Sequence, residues 1–135
     1  MTKTEVKQLS YDIIDSAIKV HTALGAGLLE SVYQKCLEYE LRKSGFHVQT
    51  EVRVPINYDG LQLDTDLRLD LLVNDCVLVE LKAVENLQPI HSAQLMTYMR
   101  LLKKPQGLLI NFHTHNITHA MKPLVNEIYR SLPDY

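Results

Sequence analysis

Three residues near the middle of the chain have the types and spacing for hydrolysis assisted by a metal ion. Asp70 lies in Leu67-Arg68-Leu69-Asp70-Leu71-Leu72-Val73, and Glu80 and Lys82 follow in Val79-Glu80-Leu81-Lys82. Leucine and valine surround all three, so two carboxylates and one amine are set among side chains that seek an interior. Burying a charge without compensation costs several kcal/mol or more. A divalent cation held by the carboxylates, with the lysine beside it, compensates the charge. It also supplies a Lewis acid and an activated water, the chemistry of phosphodiester hydrolysis.

The spacing is tested by parity, because side chains of a strand alternate between faces. Arg68, Asp70 and Leu72 share one face; Leu67, Leu69, Leu71 and Val73 share the other. On the next strand Leu78, Glu80 and Lys82 share a face. Asn74-Asp75 marks the reversal between them. A two-residue turn would set Asp70 opposite Val79 and put Glu80 on the wrong face. A three-residue turn, Asn74-Asp75-Cys76, pairs Val73 with Val77 and Asp70 with Glu80. A one-residue slip exchanges every face, so only the second register builds a site. The plainer alternative is a pair of edge strands with solvated charges, against which the continuous apolar flanks argue.

The elements that must position these residues follow from pattern. Residues 1–9 are polar and read as frayed. Ser10 reads as an N-cap with Asp12 near the helix start, although Thr2 with Glu5 would make an earlier capping box. Ile13, Ile14, Ala17, Ile18, His21 and Leu24 recur at helical spacing up to Gly25. A second helix is predicted from about Leu28 to Lys43, ended by Gly45. The period then becomes two: Phe46, Val48, Thr50, Val52 and Val54 alternate with polar residues up to Pro55. Asp59-Gly60 between short apolar runs signals a hairpin. A third helix is predicted over Ile90–Leu102, and the apolar run Gly107–Phe112 suits a buried strand. In the tail, Pro123 reads as a helix start and Pro133 as its end. The order gives an α/β fold, a mixed sheet with helices packed on it, in one domain spanning residues 1–135.

Composition narrows the class. The chain has 135 residues, 46% hydrophobic and 22% charged, an ordinary globular balance. No apolar run approaches a membrane span and no signal peptide opens the chain, so a cytoplasmic location without membrane contact is expected. Cys36 and Cys76 follow no metal spacing and fit a reducing compartment. A net charge of −2 argues mildly against strong sequence-independent nucleic-acid binding, yet leaves room for a basic rim beside a metal site.

Asp70 followed by Glu80-x-Lys82 on adjacent strands resembles the PD-(D/E)XK nuclease superfamily. Gly27-Leu28-Leu29-Glu30-Ser31-Val32-Tyr33 fits the motif naming the GxxExxY protein family, a small branch of it. Asp70–Val73, Val79–Glu85, Ile90–Leu95 and Leu108–Phe112 are also similar, and the resemblance covers residues 10 to 112. It implies a restriction-endonuclease-like fold and a metal-dependent nuclease. Asp70 and Glu80 would bind Mg²⁺ or Mn²⁺, with the Leu81 carbonyl as a further ligand. Lys82 would position or deprotonate the attacking water. Glu30 would be an outer ligand or water holder, and Gln94 would orient Lys82 or a phosphate. Tyr98 lies one turn after Gln94 on the same helix face. Nucleic acid is the implied partner, with a homo-oligomer or a partner subunit also compatible. The alternatives are a catalytically silent binding or interaction module on a nuclease fold, and an accessory subunit whose partner defines the substrate.

Other features have plainer readings. Tyr33 and His21 suit a hydrogen-bonded core better than chemistry. Asp64 and Asp66 read as solvated strand charges, with Asp66 a reserve ligand. His113, His115 and His119 invite a zinc reading, but no cysteine or acid completes the set. His91 would line the cleft. Arg100, Lys103 and Lys104 form a basic helix edge, solvated or touching phosphate. No phosphate loop, dinucleotide fingerprint or base-stacking platform is evident.

Overall fold

The structure, a computed structural model, describes residues 1–135. Helix α1 spans Lys3–Leu24, and its N-cap is Thr2, whose side chain accepts from the Glu5 amide. The frayed terminus and the Ser10 cap are therefore corrected. Val6 and Leu9 are buried, and the Lys3 amide donates to the Pro133 carbonyl, so the first turns have a surface to pack on. Ser10 is buried within the helix, where the Gln106 side-chain amide donates to its hydroxyl at 3.0 Å. Helix α2 spans Glu30–Lys43.

Strand β1, Val48–Arg53, is followed by the short strands β2, Ile56–Tyr58, and β3, Leu61–Leu63, which form a hairpin of their own. Strands β4, Arg68–Val73, and β5, Val77–Lys82, precede helix α3, Pro89–Leu102. Strand β6 is Gln106–Asn111, β7 is Met121–Val125, and the short helix α4 is Glu127–Arg130. The five-stranded sheet has the order β1-β4-β5-β6-β7. Only β5 and β6 are parallel, joined through α3; the other pairs are antiparallel. This mixed sheet with helices on its faces is the restriction-endonuclease-like α/β architecture expected.

The tail differs from expectation. Pro123 lies inside β7 rather than at a helix start. An edge strand tolerates proline because one side of its backbone needs no ladder partner.

Two cores sandwich the sheet. Helices α1 and α2 pack through Ile13, Ala17, Tyr33, Leu37 and Leu41 onto Leu71, Val73, Val79, Leu81, Leu108 and Ile110. Helix α3 packs through Leu95, Tyr98 and Met99 onto Leu69, Leu72, Leu78 and Leu109. Gly107 is needed for that approach, since a Cβ there would stand 2.9 Å from both Leu95 Cγ and Met99 Sδ.

The strict alternation read from the sequence fails at one level of the sheet. On β4, Leu71 and Val73 face α1 and α2 while Leu69 joins Leu72 under α3. On β1, Val48 belongs to the first core while Val52 packs on the second. The phase changes at Glu51 and Asp70, which the β1–β4 register sets opposite each other. Glu51 has φ +50°, a left-handed conformation that turns the strand and exchanges its faces.

Candidate active site

The β4–β5 register is Val73↔Val77, Leu72↔Leu78 and Leu71↔Val79, as the three-residue turn requires. Asn74 and Asp75 both have positive φ, which these two side chains tolerate, and the Cys76 amide closes the turn onto the Val73 carbonyl. One step further, Asp70 and Glu80 would face each other, and there the backbone ladder gives way to side chains. The Asp70 amide donates to Glu80 Oε1 at 2.9 Å. The Leu81 amide donates to Asp70 Oδ2 at 2.8 Å. Each carboxylate thus has one oxygen fixed by the neighbouring strand. Asp70 Oδ1 and Glu80 Oε2 take no protein hydrogen bond, and since no fully buried side-chain polar atom lacks a partner, both reach solvent.

The electrostatics are those of an uncompensated pair. Glu80 is only 6% exposed. Burial, then the charge of Asp70, pushes its carboxyl up to about 8, against smaller lowering by the Asp70 amide and Lys82. Burial also raises Asp70 to about 6, opposed by the Leu81 amide and reinforced by the charges of Glu30 and Glu51. Lys82 follows Glu80 by two residues on the same face and lowers both carboxyls, but forms no ion pair.

The flanking helices supply the rest. Glu30, half-buried, is the first residue of α2, close enough for its charge to raise both Asp70 and Glu80. Tyr33 explains how that helix start is held. Its hydroxyl donates to the Gly25 carbonyl at 2.6 Å and accepts from the Leu28 amide at 3.1 Å. Its ring stacks on Phe112 at 4.5 Å. Tyr33 is therefore the corner post of the turn that delivers Glu30, with Gly27 in that turn at φ +97°. On α3, Gln94 bonds the Tyr98 hydroxyl at 3.2 Å rather than Lys82. The charges of Glu80 and Asp70 add to burial in raising the Tyr98 hydroxyl, which puts that hydroxyl on the site's border.

Two residues passed over by the sequence reading belong to this surface. Glu51 stands level with Asp70, between the pairs Thr50↔Leu71 and Val52↔Leu69, and its charge raises the Asp70 carboxyl. The Gln34 side-chain amide reaches both Glu51 Oε1, at 3.1 Å, and the Asp70 carbonyl, at 3.5 Å. Gln34 lies one helical turn after Glu30, a spacing that places both on one face and would have revealed it.

Several candidates go elsewhere. His113, His115 and His119 are exposed and assemble no metal set. His91 Nδ1 accepts from the Gln88 amide and caps α3. His21 donates from Nε2 to the Thr114 carbonyl at 2.7 Å. Lys104 pairs with Asp75 at 2.9 Å. Asp64 pairs with Arg53, and Asp66 is exposed.

The donor set can be tested against a hard divalent cation. No three carboxylate, imidazole or thiol groups converge into a ready-made cage, so Glu30 does not complete one with Asp70 and Glu80. Two carboxylates with solvent-facing oxygens fit a cation that keeps several waters, which is the habit of Mg²⁺.

Fold and carboxylate pair define a class of nuclease-like proteins. Residues 7–124 match the PD-(D/E)XK nuclease superfamily, and the chain belongs to it. No curated protein matches the chain, and no solved structure does.

Proposed function

We propose that the protein is a nuclease of the GxxExxY branch that hydrolyses phosphodiester bonds of nucleic acid with Mg²⁺ or Mn²⁺, residues 1–135 acting as one domain. The observation that carries this reading is the Asp70–Glu80 pair: two desolvated carboxylates, fixed by each other's strand, with free oxygens toward solvent and no ion-pair partner.

Asp70 and Glu80 would hold the cation, with the Leu81 carbonyl on the same strand and Glu30 acting through water. The bound cation would supply Lewis acidity and a more acidic water. The chain's own groups do the rest. The Asp70 and Leu81 amides fix one oxygen of each carboxylate and so aim the other. Lys82 orients or deprotonates the attacking water and offsets negative charge as it develops on the phosphorus oxygens. Tyr98, held by Gln94, presents a hydroxyl to the same space and borders the bound phosphate.

The test is cleavage of plasmid DNA, single-stranded DNA and RNA with Mg²⁺ or Mn²⁺. Wild type should cut at least one of them. Lys82→Ala should abolish cleavage and leave the fold intact, because the lysine acts on transition-state charge. Asp70→Asn should weaken Mn²⁺ binding in a calorimetric titration. Metal binding without cleavage of any substrate would refute an autonomous nuclease, and absence of metal binding would refute the hydrolytic mechanism.

A further inference from the structure

A groove of about 670 Å³ runs between the β2–β3 hairpin and the C-terminal half of α3. It does not include the carboxylates. Its walls bring Asn57, Gln62, Arg100 and Lys103 together with Pro55 and Asp64. We propose that this groove is the track along which the nucleic acid leaves the candidate site, with Arg100 and Lys103 on its phosphates and the hairpin amides facing its bases. The proposal rests on the nuclease reading above and names where that substrate lies.

Charge argues for this occupant. Arg100 and Lys103 make no ion pair. The one acid of the groove, Asp64, already has Arg53 as its partner. The groove therefore presents two uncommitted cations and no uncommitted carboxylate, in a chain whose net charge is −2. A phosphodiester backbone complements that surface; an apolar peptide would leave its two cations unmatched.

Position argues for the same occupant. On α3, Leu101 of the groove wall follows Tyr98 by one turn. The groove thus continues from the site along the helix. Asn57 and Gln62 are cross-strand partners, so their side chains share one face of the ribbon. Amide side chains there can donate to and accept from base edges.

The test is fluorescence anisotropy with labelled 25-base-pair DNA and the matching single strand, with Ca²⁺ replacing Mg²⁺, at several salt concentrations. Wild-type cleavage in Mg²⁺ is measured alongside. Arg100→Gln with Lys103→Asn removes both cations, and asparagine suits the left-handed backbone of Lys103, φ +58°. The double variant should weaken binding and make the slope of log affinity against log salt shallower by about 1.8 for duplex, at roughly 0.9 per phosphate contact. Gln62→Arg should do the opposite, tightening binding and steepening the slope by about 0.9. Lys7→Gln with Lys35→Gln removes two exposed cations elsewhere and should change neither. Wild type that binds and cleaves while the Arg100/Lys103 variant keeps the same affinity and slope would overturn the groove and leave the nuclease reading standing. Equal losses in the two double variants would also overturn the groove, because the charge effect would then be diffuse. Wild type that neither binds nor cleaves would overturn the nuclease reading first, and this proposal with it.

Discussion

Without metal, the protein should become less stable as pH rises from about 4.5 to 8, the reverse of ordinary acid denaturation. The cause is the carboxylate pair. Glu80 rises from 4.5 to about 8 on folding, and Asp70 from 3.8 to about 6. A carboxyl with a raised pKa keeps its proton in the folded state where the unfolded chain has lost it. Its contribution is therefore complete below the unfolded value and is lost as pH climbs through the folded one. For Glu80 that window is 4.5 to about 8, and for Asp70 it is 3.8 to about 6. Glu80 alone then contributes on the order of 5 kcal/mol across its window, a large share of a typical domain's 5–15 kcal/mol. The two groups titrate as a coupled pair, so one broad transition is expected rather than two. Glu80→Gln isolates the effect. Glutamine keeps the shape and the oxygen that accepts from the Asp70 amide, but removes the buried charge. Urea unfolding in EDTA at pH 5, 6, 7 and 8, followed by circular dichroism, should show wild type falling throughout, while Glu80→Gln keeps only the smaller fall due to Asp70 and is level above about pH 6. At pH 8 the variant should be the more stable by several kcal/mol, though unable to cleave. Saturating Mg²⁺ should close much of that gap by binding only the folded wild type. Wild-type stability that is flat or rising from pH 5 to 8 in EDTA, or a fall of equal size in Glu80→Gln, would refute the reasoning.

Three further outcomes test the supports of the site. Tyr33→Phe keeps the stack on Phe112 but loses both hydroxyl bonds; it should cost about 1–3 kcal/mol in urea unfolding and, by freeing the turn before Glu30, lower the Mn²⁺ affinity measured by calorimetry. Gly107→Ala drives a methyl against Leu95 and Met99 and should cost about 1–3 kcal/mol, read as a lower urea midpoint with an unchanged slope. Asn111 is buried and holds the Val84 amide and carbonyl just past Lys82; Asn111→Ala should cost about 2 kcal/mol or more and speed amide hydrogen exchange around Val84, and exchange unchanged there would count against the clamp.

Much of this was legible because parity is strict where strands are regular. Asn74-Asp75-Cys76 and the apolar runs beside it admit one register that brings Asp70 and Glu80 together, and that register is present. Ser10 misled because a serine before an apolar stripe looks like a cap. The stripe begins earlier, at Val6 and Leu9, and Ser10 is buried by a partner 96 residues away. Pro123 misled because proline is as acceptable on an edge strand as at a helix start, and only the sheet order shows that β7 is an edge. The resemblance gives Gln94 to Lys82 or a phosphate; in the fold its side chain bonds the Tyr98 hydroxyl, four residues on, a pairing that helical spacing alone allows.

The change of phase at Glu51 could not be read from residue types, and it ties the site together. Of the five non-glycine residues with positive φ, Asp59 lies in the hairpin turn, Asn74 and Asp75 in the β4–β5 turn, and Lys103 at a helix end. Glu51 alone lies within a strand, and glutamate has no short side chain to ease a left-handed backbone. Three departures from local rules therefore meet at one level of the sheet: a strained residue on β1, an exchange of faces on β4, and carboxylates in place of ladder bonds between β4 and β5. They depend on one another. The turn at Glu51 lets Leu69 go under α3 while Leu71 stays under α2, which opens the sheet around Asp70. The opened ladder leaves the Asp70 and Leu81 amides without backbone acceptors, and the two carboxylates take them. A chain selected only to fold would put valine at these positions and keep the ladder. Here each departure costs stability, and together they hold two acids where a cation can reach them.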